Sequence, residues 1–488
     1  MPGSTASRSP GIWWWEVEHR TGAPAPVPWL LLLVFLISLP AVTTRIYASD
    51  EIQYFAYLRS LWFDRDVSFE NEYRYFHAAG IARAQNFHET FLERTTETGR
   101  RINFATIGCG LLWAPFYAAA DAGVQVANME GARIPRDGYS RPYIAAVAYA
   151  SAFYGLLALL LSAEAVRLLA RHWRALGPRA VPSAVLVWIG TPLLFYMYIA
   201  PPMSHATSAF AVALFIVIWL HVRDTWSAVG LIALGIATGL MAMVREQDAF
   251  FAVGPAVDFV YTLVTLRDGK ATRRVVNALV GIVAAAVAFT PQALAYVALN
   301  GYVGPSRLVA RKMTWTAPHA VEVVASPAHG FFVWTPLAVL AILGLVVLWR
   351  RLAEGHRQIA ACLILMTAVQ VYVAGSVESW SVAGAFGQRR FVALTPILTV
   401  GLAALLAGVA SRHLLSFMTT VALVVACWWN IGVMAQFGAG MMNRQKLEPA
   451  RIAYNTFVVM PRALPGLAWR YVVDRASFFE SARRLREK

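Results

Sequence analysis

Residues 275–299 read VVNALVGIVAAAVAFTPQALAYVAL, a run of 25 residues without a charged side chain. A helix of about 20 residues crosses the ~30 Å hydrocarbon core of a bilayer, so this run predicts a transmembrane helix. Inside the bilayer, backbone polar groups must be satisfied within a helix or a closed barrel. A chain built from many such runs is therefore an all-α membrane protein.

Similar runs recur along the whole chain. The predicted spans are 28–44, 142–163, 180–204, 206–222, 225–244, 249–266, 275–299, 331–349, 358–377, 391–410 and 414–442. Only Asp258 interrupts the 249–266 run with a charge. We therefore predict an all-α polytopic membrane protein with a bundle of about eleven transmembrane helices.

The composition excludes a soluble enzyme. The chain has 488 residues, of which 58% are hydrophobic and 14% charged, and its mean hydropathy is +0.54. Soluble domains carry roughly 25% charged residues, so this chain has too few to cover a globular surface. The net charge of +15 would suggest nucleic acid in a soluble protein. Here the basic residues lie mostly in short loops between apolar runs, where they act as topology signals, and no nucleic acid is expected.

The orientation depends on the segment 104–120, which is apolar but short. If it does not cross the membrane, the short loops on the N-terminal side carry thirteen basic residues and the opposite loops carry six. Because basic loops stay in the cytoplasm, this bias predicts a cytoplasmic N-terminal tail, 1–27. The segment 104–120 is then a re-entrant or interfacial helix on the outer face. The basic C-terminal tail, 436–488, is expected outside, on the membrane or as a small cap.

The first outer loop, 47–141, begins with the sharpest polar signal, SDEIQYFAYLRSLWFDRD. The spacing of its apolar residues predicts an interfacial helix near 50–64. Asp50 and Glu51 begin this helix. One interpretation is structural, with Ser49 as cap and the acids complementing the helix dipole. The other is chemical, because two carboxylates at the exit of a span would face the head group of a lipid-linked substrate.

Cationic residues mark the ends of other spans on the same predicted face. Arg245 ends one span, and Arg389 and Arg390 begin another. Arginines at helix ends often serve only as anchors, but a guanidinium is also the preferred bidentate partner of phosphate. His205 is either a hydrogen-bonded capping residue or an acid–base group. Asp258 is an intramembrane carboxylate near the cytoplasmic end of its span, and it is not assigned to the site.

Five segments in order resemble the GT-C membrane glycosyltransferases, particularly the family 39-like bacterial group related to protein mannosyltransferases and aminoarabinose transferases. The segments are Asp50-Glu51 with Tyr54; Ile107-Gly108 with Leu111 through Phe116; Asp137 through Ser140; Gly190-Thr191-Pro192 with Ser204-His205; and Trp380 with Phe386 through Phe391. The resemblance covers roughly residues 28–435 and implies a GT-C-type transmembrane domain. It also implies a polyprenyl-phosphate-linked sugar as donor, Asp50 as the catalytic aspartate, and a bacterial inner-membrane location. Residues 103–106 read NFAT where the mannosyltransferases have a His-Pro-Pro or Lys-Pro element, so the acceptor (lipid, glycan or protein) stays open.

The predicted activity is transfer of a hexosyl or pentosyl unit to an acceptor hydroxyl, with inversion, on the extracytoplasmic face. Asp50 is the expected base, Glu51 its orienting partner, and Arg245 with Arg389 or Arg390 the phosphate site. Further substrate-site candidates are Tyr54, His205, Glu378 and Trp380. Because the donor is a monophosphate and no metal-ligand spacing occurs, no metal or other cofactor is expected.

Two rival hypotheses belong to other classes of protein. A transporter or flippase of lipid-linked sugars would bind the same donor without bond chemistry, and a scaffold protein would bind neither. A transporter is expected to place its polar residues near the bilayer midplane in discontinuous helices. A transferase is expected to place them at one interface, beside the first loop.

Overall fold

The computed structural model describes residues 29–81, 86–382, 384–475 and 477, and this part of the chain is helical without a β-strand. The α-helices are α1 (Trp29–Ser38), α2 (Ser49–Arg59), α3 (Glu70–Ala78), α4 (Gly108–Met129), α5 (Arg141–Leu169), α6 (Ala180–Gly190), α7 (Leu193–Tyr198), α8 (His205–Val222), α9 (Ala228–Val244), α10 (Val253–Thr265), α11 (Ala271–Asn300), α12 (Arg307–Arg311), α13 (Ala320–Ala325), α14 (Phe331–Trp334), α15 (Leu337–Arg351), α16 (Arg357–Gly375), α17 (Thr395–Val409), α18 (His413–Gly438), α19 (Pro449–Tyr454) and α20 (Met460–Val473). Short 3₁₀ helices are Leu39–Ala41, Arg174–Arg179, Glu246–Ala252, Glu354–His356 and Arg389–Leu394, and π-helical turns are Ser60–Asp64, His88–Glu93 and Asn455–Val459. The predicted N-terminal tail, 1–27, lies outside the described residues.

Seven of the eleven predicted spans coincide with helices that are long and apolar enough to cross a membrane. They are Arg141–Leu169, His205–Val222, Glu246–Thr265, Ala271–Asn300, Glu354–Gly375, Arg389–Val409 and His413–Gly438. The chain is therefore an all-α, multi-pass membrane protein. The other four predicted spans, 28–44, 180–204, 225–244 and 331–349, correspond to shorter or interrupted helices, and their crossing of the membrane stays a prediction.

The predicted span 180–204 is interrupted at Thr191-Pro192. A residue before proline avoids helical backbone angles, and Thr191 is accordingly extended, at φ −132° and ψ 165°. The carbonyl groups released by this break need partners in an apolar surrounding. The buried Asn430 side chain from α18 donates to the carbonyl oxygens of Ile189 and Thr191, at 2.7 and 3.1 Å. A neighbouring helix thus stabilises the break.

Small residues allow the long helices to approach closely. An added Cβ on Gly235 of α9 would lie 2.1 Å from the Gly281 carbonyl oxygen of α11. Likewise, a Cβ on Gly344 of α15 would lie 1.8 Å from the Gly401 carbonyl oxygen of α17. Backbone contact of this kind is typical of helix pairs in membranes.

The helices divide into a central and a peripheral set. In the most apolar parts of Arg389–Val409 and His205–Val222, 83% and 78% of residues are buried, whereas the corresponding value for α11 and α18 is 17%. The outer surfaces of α11 and α18 carry exposed apolar side chains such as Ile282 and Phe417. Such surfaces suit contact with lipid.

Asp258 has a structural explanation. Arg223 donates to both of its carboxylate oxygens, at 2.9 and 3.1 Å, and Trp219 Nε1 donates to Oδ2 at 2.9 Å. All three residues are buried or nearly so. This pairing links α8 to α10 and satisfies a carboxylate within the bundle.

The predicted helix near 50–64 is formed by α2 and the π-helical turn that follows it. The second predicted helix, 104–120, has different bounds, because α4 runs from Gly108 to Met129. Thr106 donates to the Val244 carbonyl oxygen at 2.8 Å, which holds the chain outside a helix just before α4 begins. The predicted helix ended at residue 120 because the next residue, Asp121, is charged. In the structure Asp121 is paired with Arg136, and α4 continues past it to Met129.

Helix α4 lies beside the first half of α5. Tyr154 Oη donates to the Leu112 carbonyl oxygen at 2.8 Å, and Tyr143 Oη donates to Asp121 Oδ1 at 2.6 Å. The two helices are thus antiparallel, and these contacts fall within the first 14 of the 29 residues of α5.

The C-terminal tail docks on the end of the first helix. Tyr471 of α20 hydrogen-bonds to Thr43 Oγ1 at 2.6 Å, and Arg475 donates to the Val42 carbonyl oxygen at 2.6 Å. These contacts place the described part of the tail beside the entrance to the first loop.

Candidate functional site

A cavity of about 560 Å³ opens where six distant parts of the chain meet. This volume falls within the ~300–1,000 Å³ of small-molecule sites. Its polar lining is Asp50, Gln53, Tyr54, Thr106, Ser204, His205, Arg245, Glu246, Gln247, Lys312, Ser379, Arg389 and Arg390. The structure thus brings six of the nine predicted site residues together.

Asp50 and Arg389 form the central ion pair. Arg389 Nη1 donates to Asp50 Oδ2 at 2.6 Å, across 339 residues of sequence. Their side chains are 37% and 25% exposed, so both remain open to the cavity. The structure thus brings the first-loop carboxylate and the distant arginine into contact, while the roles of the two residues stay predictions.

The loop before Arg389 is fixed by buried contacts. Tyr196 Oη donates to the Phe386 carbonyl oxygen at 2.9 Å, and Gln388 Nε2 donates to the Trp380 carbonyl oxygen at 2.9 Å. Gly387 has φ +61°, and a Cβ there would lie 2.7 Å from Pro192 Cγ. Only glycine fits this turn without strain.

Arg245 occupies the break between α9 and the following 3₁₀ helix. Its backbone is extended, at φ −154° and ψ 123°. Arg245 Nη1 lies 3.2 Å from His205 Nδ1, and Nη2 donates to Gln247 Oε1 at 3.0 Å. Because a guanidinium can only donate, His205 Nδ1 accepts this bond and the neutral ring carries its proton on Nε2.

Two further cations complete the lining. Arg390 donates to the Ser379 and Trp380 carbonyl oxygens, at 2.9 and 3.3 Å. The Lys312 ammonium lies 5.9 Å from the Phe104 ring centroid. These hydrogen bonds and the ring contact are with neutral groups, while the carboxylates of Asp248 and Asp50 lie near enough to act on Arg245 and Arg390.

The charge balance of the cavity favours an anionic ligand. Four cationic side chains line it, against the two carboxylates Asp50 and Glu246, and one of the four is engaged by Asp50. Guanidinium and ammonium groups held beside a cavity suit phosphate or carboxylate ligands.

Three predicted site residues, Glu51, Glu378 and Trp380, do not line the cavity, and Glu51 caps a helix instead. Glu51 Oε2 accepts the backbone N–H groups of Tyr47 and Ala48, at 2.6 and 3.0 Å, and so caps α2. Burial raises the pKa of Glu51 to about 7. The two hydrogen bonds act to lower this pKa, and the charge of Asp50 adds to the rise. The expected cap residue Ser49 is already the first residue of the helix, and Ala48 holds the cap position.

Glu378 and Trp380 flank the cavity without lining it. The Glu378 backbone N–H donates to the Lys312 carbonyl oxygen at 2.8 Å. The Trp380 ring stacks on His319, with centroids 5.6 Å apart. Both residues therefore shape the wall through their backbone and ring contacts.

Sequence reasoning did not propose Glu246 and Gln247 as site residues, whereas Lys312 in the outer 300–330 loop was expected only to add positive field. Glu246 and Gln247 directly follow Arg245 in MVREQD, at the end of an apolar run, and that polar cluster was a usable signal. Lys312 lies in a long loop whose return to the cavity no local pattern indicates.

Comparison with known proteins finds no family model that matches the chain and no curated protein similar to it. Within the described residues, no group of three or more His, Cys, Asp or Glu side chains is arranged to hold a metal ion. The expectation of metal-independent chemistry stays a prediction.

Proposed function

We propose that this protein is a membrane-embedded glycosyltransferase that moves a sugar from a polyprenyl-phosphate donor to an acceptor hydroxyl. The observation that carries the proposal is the Asp50–Arg389 pair, which opens into a cavity with three further cations. A carboxylate beside phosphate-binding groups is what displacement at an anomeric carbon requires.

The reaction is a single displacement. The acceptor oxygen forms a bond to the anomeric carbon as the bond from that carbon to the phosphate oxygen breaks, and the anomeric centre inverts. Arg245, Arg389 and Arg390 stabilise the charge on the departing phosphate. The Asp50 carboxylate either accepts the proton of the acceptor hydroxyl or stabilises the oxocarbenium-like carbon while another base in the cavity takes that proton.

The proposed extracytoplasmic side is supported by the distribution of basic residues. The cavity is lined by segments from the loops with six basic residues. The loops of the other set, which carry thirteen basic residues, contact one another away from the cavity. There Arg171 pairs with Asp224 at 3.7 Å, and the His172 and His356 rings lie 3.8 Å apart. The positive-inside rule then assigns the cavity to the outside. The bacterial inner membrane as location follows from the family resemblance.

The alternative function is transport or flipping of the same lipid-linked sugar. One observation favours it: α9 stops at Arg245, so irregular backbone lines the cavity, as in transporters with discontinuous helices.

Detergent-solubilised protein separates the two functions. The purified protein is incubated with hexosyl- and pentosyl-phosphate polyprenols labelled in the sugar, and with lipid, glycan and peptide acceptors plus glycerol. A transferase moves the label to an acceptor and releases polyprenyl phosphate in equal amount. A transporter leaves the donor intact, and this outcome would exclude the proposal.

A further inference from the structure

The two carboxylates that line the cavity have different surroundings. Asp50 Oδ2 is engaged by Arg389 at 2.6 Å. The half-buried Glu246 side chain, in contrast, has no hydrogen bond or ion pair with any residue that the structure describes. Its oxygens are therefore free to accept a proton from a ligand in the cavity.

Glu246 borders the same face of α2 as Asp50. Asp50, Tyr54 and Tyr57 follow one another at helical spacing of four and three residues, so they share one face. Burial, and then the neighbouring Glu246 carboxylate, raise the pKa of the Tyr57 hydroxyl, which puts Glu246 close to the far end of this face. Arg245 lies close to Tyr54, because both line the cavity and the charge of Arg245 acts on the Tyr54 hydroxyl.

The backbone break at Arg245 explains why the side chains of Arg245 and Glu246 point to different surroundings. Arg245 is extended and directs its guanidinium to His205, and the 3₁₀ helix begins with Glu246. The break therefore presents a cation and an unpaired carboxylate to one cavity.

The geometry points to Glu246 as a second catalytic carboxylate, the base that accepts the proton of the acceptor hydroxyl, while Asp50 holds Arg389 and faces the anomeric carbon. This inference rests on the proposed function. In the step, the acceptor O–H bond breaks and its proton moves to Glu246. The oxygen bonds to the anomeric carbon, the sugar–phosphate bonding pair leaves with the phosphate, and Glu246 later returns the proton to water.

The charges in the cavity favour Glu246 over Asp50 as the base. Protonation of Asp50 would remove the charge that holds Arg389 while negative charge develops on the departing phosphate. Protonation of Glu246 leaves the Asp50–Arg389 pair intact. Pairs of carboxylates in unlike surroundings commonly divide acid–base and electrostatic roles in this way.

The test uses azide, an anionic nucleophile that carries no proton to remove. Glu246→Ala and Glu246→Gln are compared with the wild type for transfer to glycerol and to azide. We expect both variants to lose at least about 100-fold in transfer to glycerol, the scale of a general base. Glycosyl azide formation by Glu246→Ala is expected to stay near the wild-type rate. Glu354→Gln, at a side chain 91% exposed, is the matched control.

Each other outcome is informative. Unchanged transfer to glycerol in both variants overturns the inference, and so does an equal loss with glycerol and azide, because that indicates a positioning role. Thermal unfolding of the purified variants reports whether they are folded. Absence of transfer by the wild type to any nucleophile would instead reject the proposed function itself.

Discussion

Glu51 illustrates how one buried side chain serves the site without entering it. Its carboxylate accepts two backbone N–H bonds at the start of α2, which fixes the helix turn that carries Asp50. Glutamate three residues after the cap position is a recurrent way to satisfy the free donors of a helix start. The sequence predicted Glu51 as the orienting partner of Asp50, whereas its side chain is directed to the N–H groups of Tyr47 and Ala48 and acts through the helix start.

The raised pKa of Glu51 predicts a pH-dependent stability. In the folded protein its pKa is about 7, above the ordinary 4.5, so the native state binds the additional proton between these values. This contribution is fully present below the ordinary pKa and is lost as the pH rises through about 7. Glu51→Gln keeps an acceptor for the N–H groups and removes the titration, so its melting temperature should fall less between pH 5 and 8 than that of the wild type.

The comparison is made by thermal unfolding in detergent, with the exposed Glu448→Gln as control. Identical pH dependence of Glu51→Gln and the wild type would contradict the assignment.

At the level of residues, side-chain type and position beside an apolar run predicted Asp50, His205, Arg245, Arg389 and Arg390 as site residues, whereas Tyr54 came from the family resemblance. Asp50, Arg245 and Arg389 each stand at the end of an apolar run, where a charge is conspicuous. Glu246 stood in such a cluster too, but an acid next to an arginine suggests a local pair. The structure instead turns Arg245 toward His205.

One helix break, at Arg245, lines the cavity, and another, at Pro192, packs against the Gly387 turn that precedes Arg389. The sequence predicted continuous spans over 180–204 and 331–349 because no charge interrupts them. Both break before a proline, at Thr191 and at Thr335, where the backbone leaves the helical conformation. Hydropathy detects the apolar run, whereas the break requires a partner such as Asn430, which lies about 240 residues away.

The turn at Gly387 should make the loop before Arg389 sensitive to substitution. An alanine there should cost about 1–2 kcal/mol for the left-handed backbone, with a further cost for the contact with Pro192. Because Arg389 follows two residues later, Gly387→Ala should also lower the transfer rate.

Gly384→Ala is the matched control, since Gly384 has φ +78° but no atom within 4 Å of an added Cβ. Unfolding and transfer rates are measured for both variants. Equal effects of the two substitutions would show that the Pro192 contact does not position Arg389.

In the molecule as a whole, the proposed function requires the cavity and the basic loops to lie on opposite sides of the membrane. Composition and periodicity predicted the all-α membrane class, because apolar runs of this length have few other uses. The meeting of six segments at one cavity is a tertiary result, which depends on close helix contacts such as Gly235 with Gly281.

Single-cysteine labelling of cells tests this sidedness. Val303→Cys lies in the exposed loop after α11, and Ser411→Cys lies in the exposed turn between α17 and α18. An impermeant thiol reagent should label the first in intact cells and the second only after permeabilisation. The three native cysteines, the buried Cys109 and Cys362 and the partly exposed Cys427, are first replaced by alanine, so that each variant carries one thiol. The reverse pattern would place the cavity in the cytosol.

The role of Asp50 is tested by measuring sugar transfer from the polyprenyl-phosphate donor by the wild type and by Asp50→Asn. Asparagine preserves the shape of Asp50 but removes the charge that pairs with Arg389. We predict that the rate falls at least about 100-fold. The Asp224→Asn control, at an exposed acid remote from the cavity, should retain wild-type activity. Full activity in Asp50→Asn would contradict the proposed site.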